Sequence, residues 1–212
     1  MSEWSHIRCI FADPGTVPHN ALPLPSATDE ERLNMCVKCN QFKPPRAHHC
    51  SECGRCIVKM DHHCPWVNNC VGVANIKFFV LFLVYTFLYC SVGTMLSVFF
   101  FIHRMTVEFE ESFRMIGNGV VVIFGGFFTI FTCTMFCDTF SVIQSGTTSI
   151  DVLKGISYEG SLREGLSETF GGKGKFTLDW LLPVSPVWED EAEVLGYQIE
   201  PKVVVDEWVT SQ

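Results

Sequence analysis

The chain has 212 residues, 48% of them hydrophobic and 19 of them phenylalanine, and a formal net charge of -8. The apolar residues are clumped, so this composition does not require one large soluble core. The charge is uneven as well: six Lys/Arg face two acids from Cys36 to Lys77, whereas residues 189–207 hold seven acids and one lysine, so the acidity belongs to the tail and does not exclude an anion at the basic stretch.

Taken in chain order, residues 1–35 hold no long apolar run and several Pro/Gly breakers, and they read as an irregular cytosolic segment with no signal peptide, carrying the triplet Asp13-Pro14-Gly15. Residues 36–77 are the densest stretch. Seven cysteines (36, 39, 50, 53, 56, 64 and 70) and four histidines (48, 49, 62 and 63) fall between Cys36 and Cys70, at the paired spacings of tetrahedral zinc. Two closed zinc sites need eight donors and the window offers eleven, so three side chains stay uncoordinated. A thiol left free, with an imidazole two residues before it and a carboxylate before that, has the parts of an activated nucleophile, and those parts are Cys64, His62 and Asp61. The region should fold as short hairpins shaped by metal, since structural zinc supplies roughly 10 kcal/mol or more to such small units. The remaining cysteines, Cys9, Cys90, Cys133 and Cys137, are scattered, which excludes a disulfide framework and favours a reducing compartment.

Residues 78–102 run 25 positions without a charge. As a helix they would reach about 37 Å, against about 30 Å for a hydrocarbon core. After a loop over 103–119 a second span is predicted over the uncharged Val120–Cys137, its helix continuing as a cytosolic end to 144, with Gly125-Gly126 as a packing face. Lysines and arginines cluster before the first span, whereas Glu108, Glu110 and Glu111 outweigh Arg104 and Arg114 in the loop, so the Cys-rich region and a C-terminal segment over 145–186 should face the cytosol. Residues 187–212 read as a solvated acidic tail. A nucleic-acid-binding zinc module fits the spacings alone, but no basic helix follows the ligands and two spans tether the region to a bilayer.

The run from Cys36 to Cys70, with Lys43-Pro44-Pro45-Arg46, Asp61-His62-His63-Cys64 and Pro65-Trp66-Val67-Asn68-Asn69, resembles the DHHC-type protein S-acyltransferases. The resemblance implies one zinc on Cys36, Cys39, His49 and Cys56 and another on Cys50, Cys53, His63 and Cys70. It also implies that Cys64 accepts a fatty acyl group from palmitoyl-CoA and passes it to cytosolic cysteines of other proteins, with His62 as base and Asp61 as its orienting acid. Lys43 and Arg46 are the candidates for the coenzyme A phosphates. Thr148-Ser149-Ile150-Asp151 stands where the family carries Thr-Thr-x-Glu, and Phe170-Gly171 with Trp180-Leu181-Leu182-Pro183 resembles its C-terminal element, although Gly165 replaces an expected asparagine. In the family, Asp-Pro-Gly lies just after a second transmembrane helix, so two helices are expected to be missing before it. The implied fold is a mainly α, multi-pass membrane protein in which a zinc-binding region of short hairpins precedes two transmembrane helices and a cytosolic C-terminal segment. Its expected location is the Golgi or endoplasmic reticulum, with the plasma membrane as another possibility. The alternative is a shortened, inactive, membrane-anchored zinc protein.

Overall fold

A computed structural model describes residues 1–107 and 112–199. The first departure from expectation is at the start, where residues read as irregular form helix α1, Ser2–Phe11, with Ser5 and Cys9 buried. Ten residues are too few to hold a helix in water alone, so packing rather than propensity sets this element. Asp13 then turns the chain, its Oδ1 accepting from the backbone N–H of Gly15 (2.8 Å) and Thr16 (2.6 Å). Gly15 has φ 103, a conformation open to glycine at little cost, and its carbonyl accepts from the Val58 N–H.

Next come strand β1 (Ala21–Leu22) and helix α2 (Asp29–Arg32), followed by three antiparallel hairpins as anticipated. These are β2 (Met35–Cys36) with β3 (Gln41–Phe42), β4 (Ala47–Cys50) with β5 (Arg55–Val58), and β6 (His62–Cys64) with β7 (Asn69–Val71). The hairpins bury few large apolar side chains of their own, apart from Phe42, Ile57, Val58, Val67 and Val71.

Helices α3 (Ile76–Val107) and α4 (Ser112–Ser145) pack on one another, and both extend into the stretch expected to be a loop. Each is long and apolar enough to cross a membrane. The root of α3 is buried through Phe78, Phe79, Val80, Leu81 and Leu83, whereas Met95 and Phe99 further along, and Ile123 and Ile130 on α4, are exposed. Only half of the glycine pair packs as expected. A Cβ on Gly125 would lie 2.3 Å from Thr94 Oγ1, whereas Gly126 has nothing within 4 Å.

Helix α5 (Ser149–Leu153) opens on a reciprocal cap in which the Asp151 N–H bonds Thr148 Oγ1 (3.2 Å) and the Thr148 N–H bonds Asp151 Oδ2 (3.1 Å). Helix α6 (Leu162–Phe170) is capped in the same way by Ser161 and Glu164. Gly165 lies on α6, where an added Cβ would sit 1.7 Å from the Ile143 carbonyl oxygen of α4. Here glycine joins the two elements by close backbone approach, in the place where the family resemblance leads one to expect a hydrogen-bonding side chain. Gly165→Ala should therefore push α6 off α4 and cost about 2 kcal/mol, read as a lower thermal midpoint in detergent.

The segment from 187 is not wholly a solvated tail. Trp188 Nε1 donates to the Glu168 carbonyl (2.7 Å), helix α7 (Glu191–Leu195) follows, Tyr197 is buried, and β8 (Gln198–Ile199) pairs with β1. The described acids, Glu189, Asp190, Glu191 and Glu193, lie on the outside of a strap that closes over the hairpins, which a count of charges does not reveal. Residues 200–212 of the predicted tail, and Glu108, Glu110 and Glu111 of the predicted loop, lie outside the described residues.

Candidate active site and metal centres

The hairpins sort the donors. In an antiparallel pair, neighbours along a strand point to opposite faces and directly opposed residues share one. His49 faces Cys56 across β4 and β5, so these two join Cys36 and Cys39, while Cys50 next door points the other way, toward Cys53. On β6 and β7 His63 faces Cys70, and His62 and Cys64 on either side of it point away from the metal donors. The ligand atoms of Cys36, Cys39, His49 and Cys56 all lie within 4.8 Å of one another, as do those of Cys50, Cys53, His63 and Cys70.

In each quartet histidine presents Nδ1: 3.1 Å from Cys39 Sγ for His49, and 3.4 Å from Cys53 Sγ for His63. Burial, and then the neighbouring sulfurs, push the Cys56 and Cys70 thiols well above the usual range. Four such donors cannot all be deprotonated side by side without a cation between them. Three thiolates and one imidazole in a closed tetrahedral set fit structural zinc.

The alternation that leaves His62 and Cys64 free also places them against α3. Asp61 is buried, its Oδ2 2.8 Å from His62 Nδ1, and its Oδ1 accepts the Ser149 N–H at 2.7 Å. Burial would raise the Asp61 pKa, but the bonds from His62 and Ser149 outweigh it and hold the carboxyl below its usual value. Burial would likewise lower that of His62, yet Asp61 and then Cys64 lift it to about 9. Cys64, 3% exposed, is lowered against its own burial by His62 and by the Trp66 and Val67 backbone. His62 Nε2 is buried without a hydrogen bond of ordinary geometry among the described residues, so the imidazolium acts on the thiol through its field and keeps its Nε2 proton free to give. Burial, and then the proximity of Cys64, push Cys9 up to about 12, which keeps that second thiol protonated.

Cys64 opens on a cavity of about 370 Å³ between α3 and α4, walled by Trp66, Phe79, Phe82, Leu83 and Phe131. Phe79 meets the His62 ring edge-on at 5.3 Å, and Trp66 leans on Phe131. Sequence reasoning missed α1 as a wall: His6 stacks on Phe82 at 4.7 Å, and its Nε2 lies 3.1 Å from the Trp66 carbonyl. Asn69 caps the end of α1 by donating from Nδ2 to the carbonyls of Cys9, Ile10 and Ala12. The helical register of Ser5 and Cys9 was the available signal, too short to be read.

A family model of DHHC palmitoyltransferases matches residues 29–156. The chain belongs to that family. It is 35% identical over 209 residues to "Probable protein S-acyltransferase 12" of Arabidopsis thaliana, covering 87% of this chain and 69% of that one. It is 35% identical over 173 residues to "Palmitoyltransferase ZDHHC20" of Homo sapiens (77% and 47%), and 39% identical over 198 residues to "Palmitoyltransferase ZDHHC7" of Mus musculus (84% and 62%). This DHHC chain thus spans about half of the human relative and roughly two thirds of the other two.

Around the DHHC site the second basic group is already engaged. Arg46 bonds Asp151 Oδ2 (3.0 Å) and the Gly146 carbonyl, and lies 4.1 Å over the Tyr158 ring. Asp151 Oδ1 takes His48 Nε2 (3.3 Å), and Lys154 Nζ reaches His48 Nδ1 (2.9 Å). Burial first, then the charge of Lys154, hold His48 below its usual range, so the ring is neutral, donating from Nε2 and accepting at Nδ1. Asp151 is thus the hub between the basic stretch and α5, which in turn supplies the N–H that holds Asp61. Asp151→Ala should leave Arg46 inside without its carboxylate and cost about 3 kcal/mol, read as a lower thermal midpoint and weaker acylation together.

Proposed function

We propose that the chain is a protein S-acyltransferase whose Cys64 carries a fatty acyl group from palmitoyl-CoA to cysteines of other proteins. The observation that carries this reading is the Asp61-His62 pair, set beside a thiol of lowered pKa at the mouth of an apolar cavity. Only a thiolate attacks a thioester, and an ordinary cysteine titrates near 8.5, so the imidazolium that holds Cys64 ionised raises the reactive fraction at cytosolic pH.

In the first step Cys64 Sγ bonds the thioester carbonyl carbon, the bond from that carbon to the coenzyme A sulfur breaks, and the departing thiolate takes the proton from His62 Nε2. In the second a substrate cysteine gives its proton to Nε2 as its sulfur attacks the acyl-Cys64 carbonyl, which releases Cys64 again as thiolate. Asp61 keeps Nδ1 protonated throughout and stabilises the imidazolium. Two zinc ions on the quartets would hold the hairpins that present this pair and take no part in transfer. Among the described residues Lys43, unlike Arg46, has no carboxylate partner, and it is the available member of the predicted phosphate-binding pair. Lys154 joins it near His48, while Arg46, held by Asp151, frames that corner rather than meeting a phosphate with its full charge.

In this reading α3 and α4 cross a bilayer with the zinc region in the cytosol, as the Lys/Arg bias indicates, in a Golgi, endoplasmic reticulum or plasma membrane. Substrate cysteines then lie near the membrane surface. Incubating the purified protein in detergent with alkyne-labelled palmitoyl-CoA and a cysteinyl peptide tests it. The reading predicts label released by hydroxylamine, first on the protein and then on the peptide. No label on either would instead support a zinc-binding anchor without transferase activity.

A further inference from the structure

We propose that residues 176–182 dip into the cytosolic leaflet beside α3, sinking Phe176, Leu178, Leu181 and Leu182 into lipid, an inference that rests on reading α3 and α4 as spans. Phe176 is 63% exposed, Leu178 77%, Leu181 47% and Leu182 40%, four large apolar side chains presented within seven residues, which a freely soluble segment rarely shows. The exposure is built in rather than loose. Trp180 is buried, stacked on Phe170 at 4.6 Å and met edge-on by Phe176 at 5.9 Å, and its anchoring turns the flanking leucines outward. The 3-10 turn Leu178–Leu181 satisfies the backbone locally, with the Trp180 N–H on the Thr177 carbonyl and the Leu182 N–H on the Asp179 carbonyl.

Two ties to α3 set its height. Asp179 Oδ2 lies 3.9 Å from Lys77 Nζ at the root of α3, and the Leu181 carbonyl accepts the Tyr85 hydroxyl at 2.6 Å. Lys77 and Tyr85 are eight residues apart, about 12 Å along the helix, and the apolar run starts between them at Phe78. The leucines therefore lie beside the first turns of a span, where polar backbone needs a partner, as the Trp180 and Leu182 N–H and the Leu181 and Leu182 carbonyls have. Asp179 is the one acid in the stretch. Its partner Lys77 is wholly buried and makes no hydrogen bond among the described residues, so this ammonium offsets the carboxylate that the dip brings in. Beyond Leu182 the chain returns to the starting side, where Arg8 of α1 donates to Ser185 Oγ at 3.0 Å. Leu88 and Tyr89, three and four residues beyond the Tyr85 that bonds Leu181 and so on the same face of α3, are exposed too, which selects lipid over a soluble partner as the occupant.

The test places the photo-crosslinking residue p-benzoylphenylalanine, one position at a time, in place of Leu178, Leu181, Leu88 on the span, or Val37, which is 95% exposed in the hairpin region. The full chain is reconstituted in phosphatidylcholine vesicles, irradiated and weighed intact. Lipid adducts at 178 and 181 should approach those at 88 and exceed those at 37 several-fold. Adducts at 88 with none above the level of 37 at 178 and 181, or crosslinks there to a second copy of the chain, would overturn the dip and leave the spans standing. If 88 also stays at the level of 37, the span reading fails and the inference goes with it.

Discussion

Cys64→Ser is expected to lower acyl-enzyme formation by about 10³-fold or more, because serine at neutral pH is not ionised and the imidazolium beside it has no thiolate to hold. His62→Ala should have a smaller effect, about 10²-fold or more, since the thiol remains but loses both its stabilising charge and the donor to the leaving sulfur. The two losses should not add, because the residues act as one unit: the double variant should resemble Cys64→Ser alone. Initial rates of hydroxylamine-labile labelling from palmitoyl-CoA check all three. Cys9→Ser is the useful contrast. Its thiol is buried next to Cys64 but pushed up to about 12, so its loss should leave the label in place.

Metal removal should be the other large effect. The hairpins carry few large buried apolar side chains beyond Phe42, Ile57, Val58, Val67 and Val71, so most of their stability must come through the quartets, about 10 kcal/mol or more for each structural zinc. The sites are also mechanically coupled, because the β4 and β5 hairpin lends His49 and Cys56 to one and Cys50 and Cys53 to the other. Stripping zinc with a strong chelator should therefore open the whole region to protease at once and end acylation. Elemental analysis should give two zinc per chain before treatment, and His63→Ala should release more than its own share by loosening Cys64 and the hairpin beside it.

What could be read in the sequence follows from the range of the forces involved. The Cys/His donors announce themselves because metal geometry restricts spacing along the chain, and strand alternation then separates His63 from His62 and Cys64 by one residue each way. The two apolar runs were legible for the same reason, since a bilayer fixes the length of what crosses it. Elements held by distant packing were not. Helix α1 depends on the face of α3 that receives Cys9, and the strap with Trp188, Tyr197 and β8 depends on a strand near residue 21 that nothing local indicates. Gly125 and Gly126 look alike in sequence, yet only the first meets a neighbouring helix. Arg46 is a phosphate candidate in sequence, and nothing local indicates that the carboxylate it bonds is Asp151, 105 residues away.

Acyl transfer by this chain depends on Cys64 being the thiol that the metal quartets leave free. The most direct measurement is peptide mapping by mass spectrometry of wild-type protein quenched in acid after brief exposure to palmitoyl-CoA. A palmitoyl thioester on the peptide bearing Cys64, with the cysteines of both quartets unmodified, is the predicted result. Acyl groups on quartet cysteines with Cys64 unmodified would contradict it.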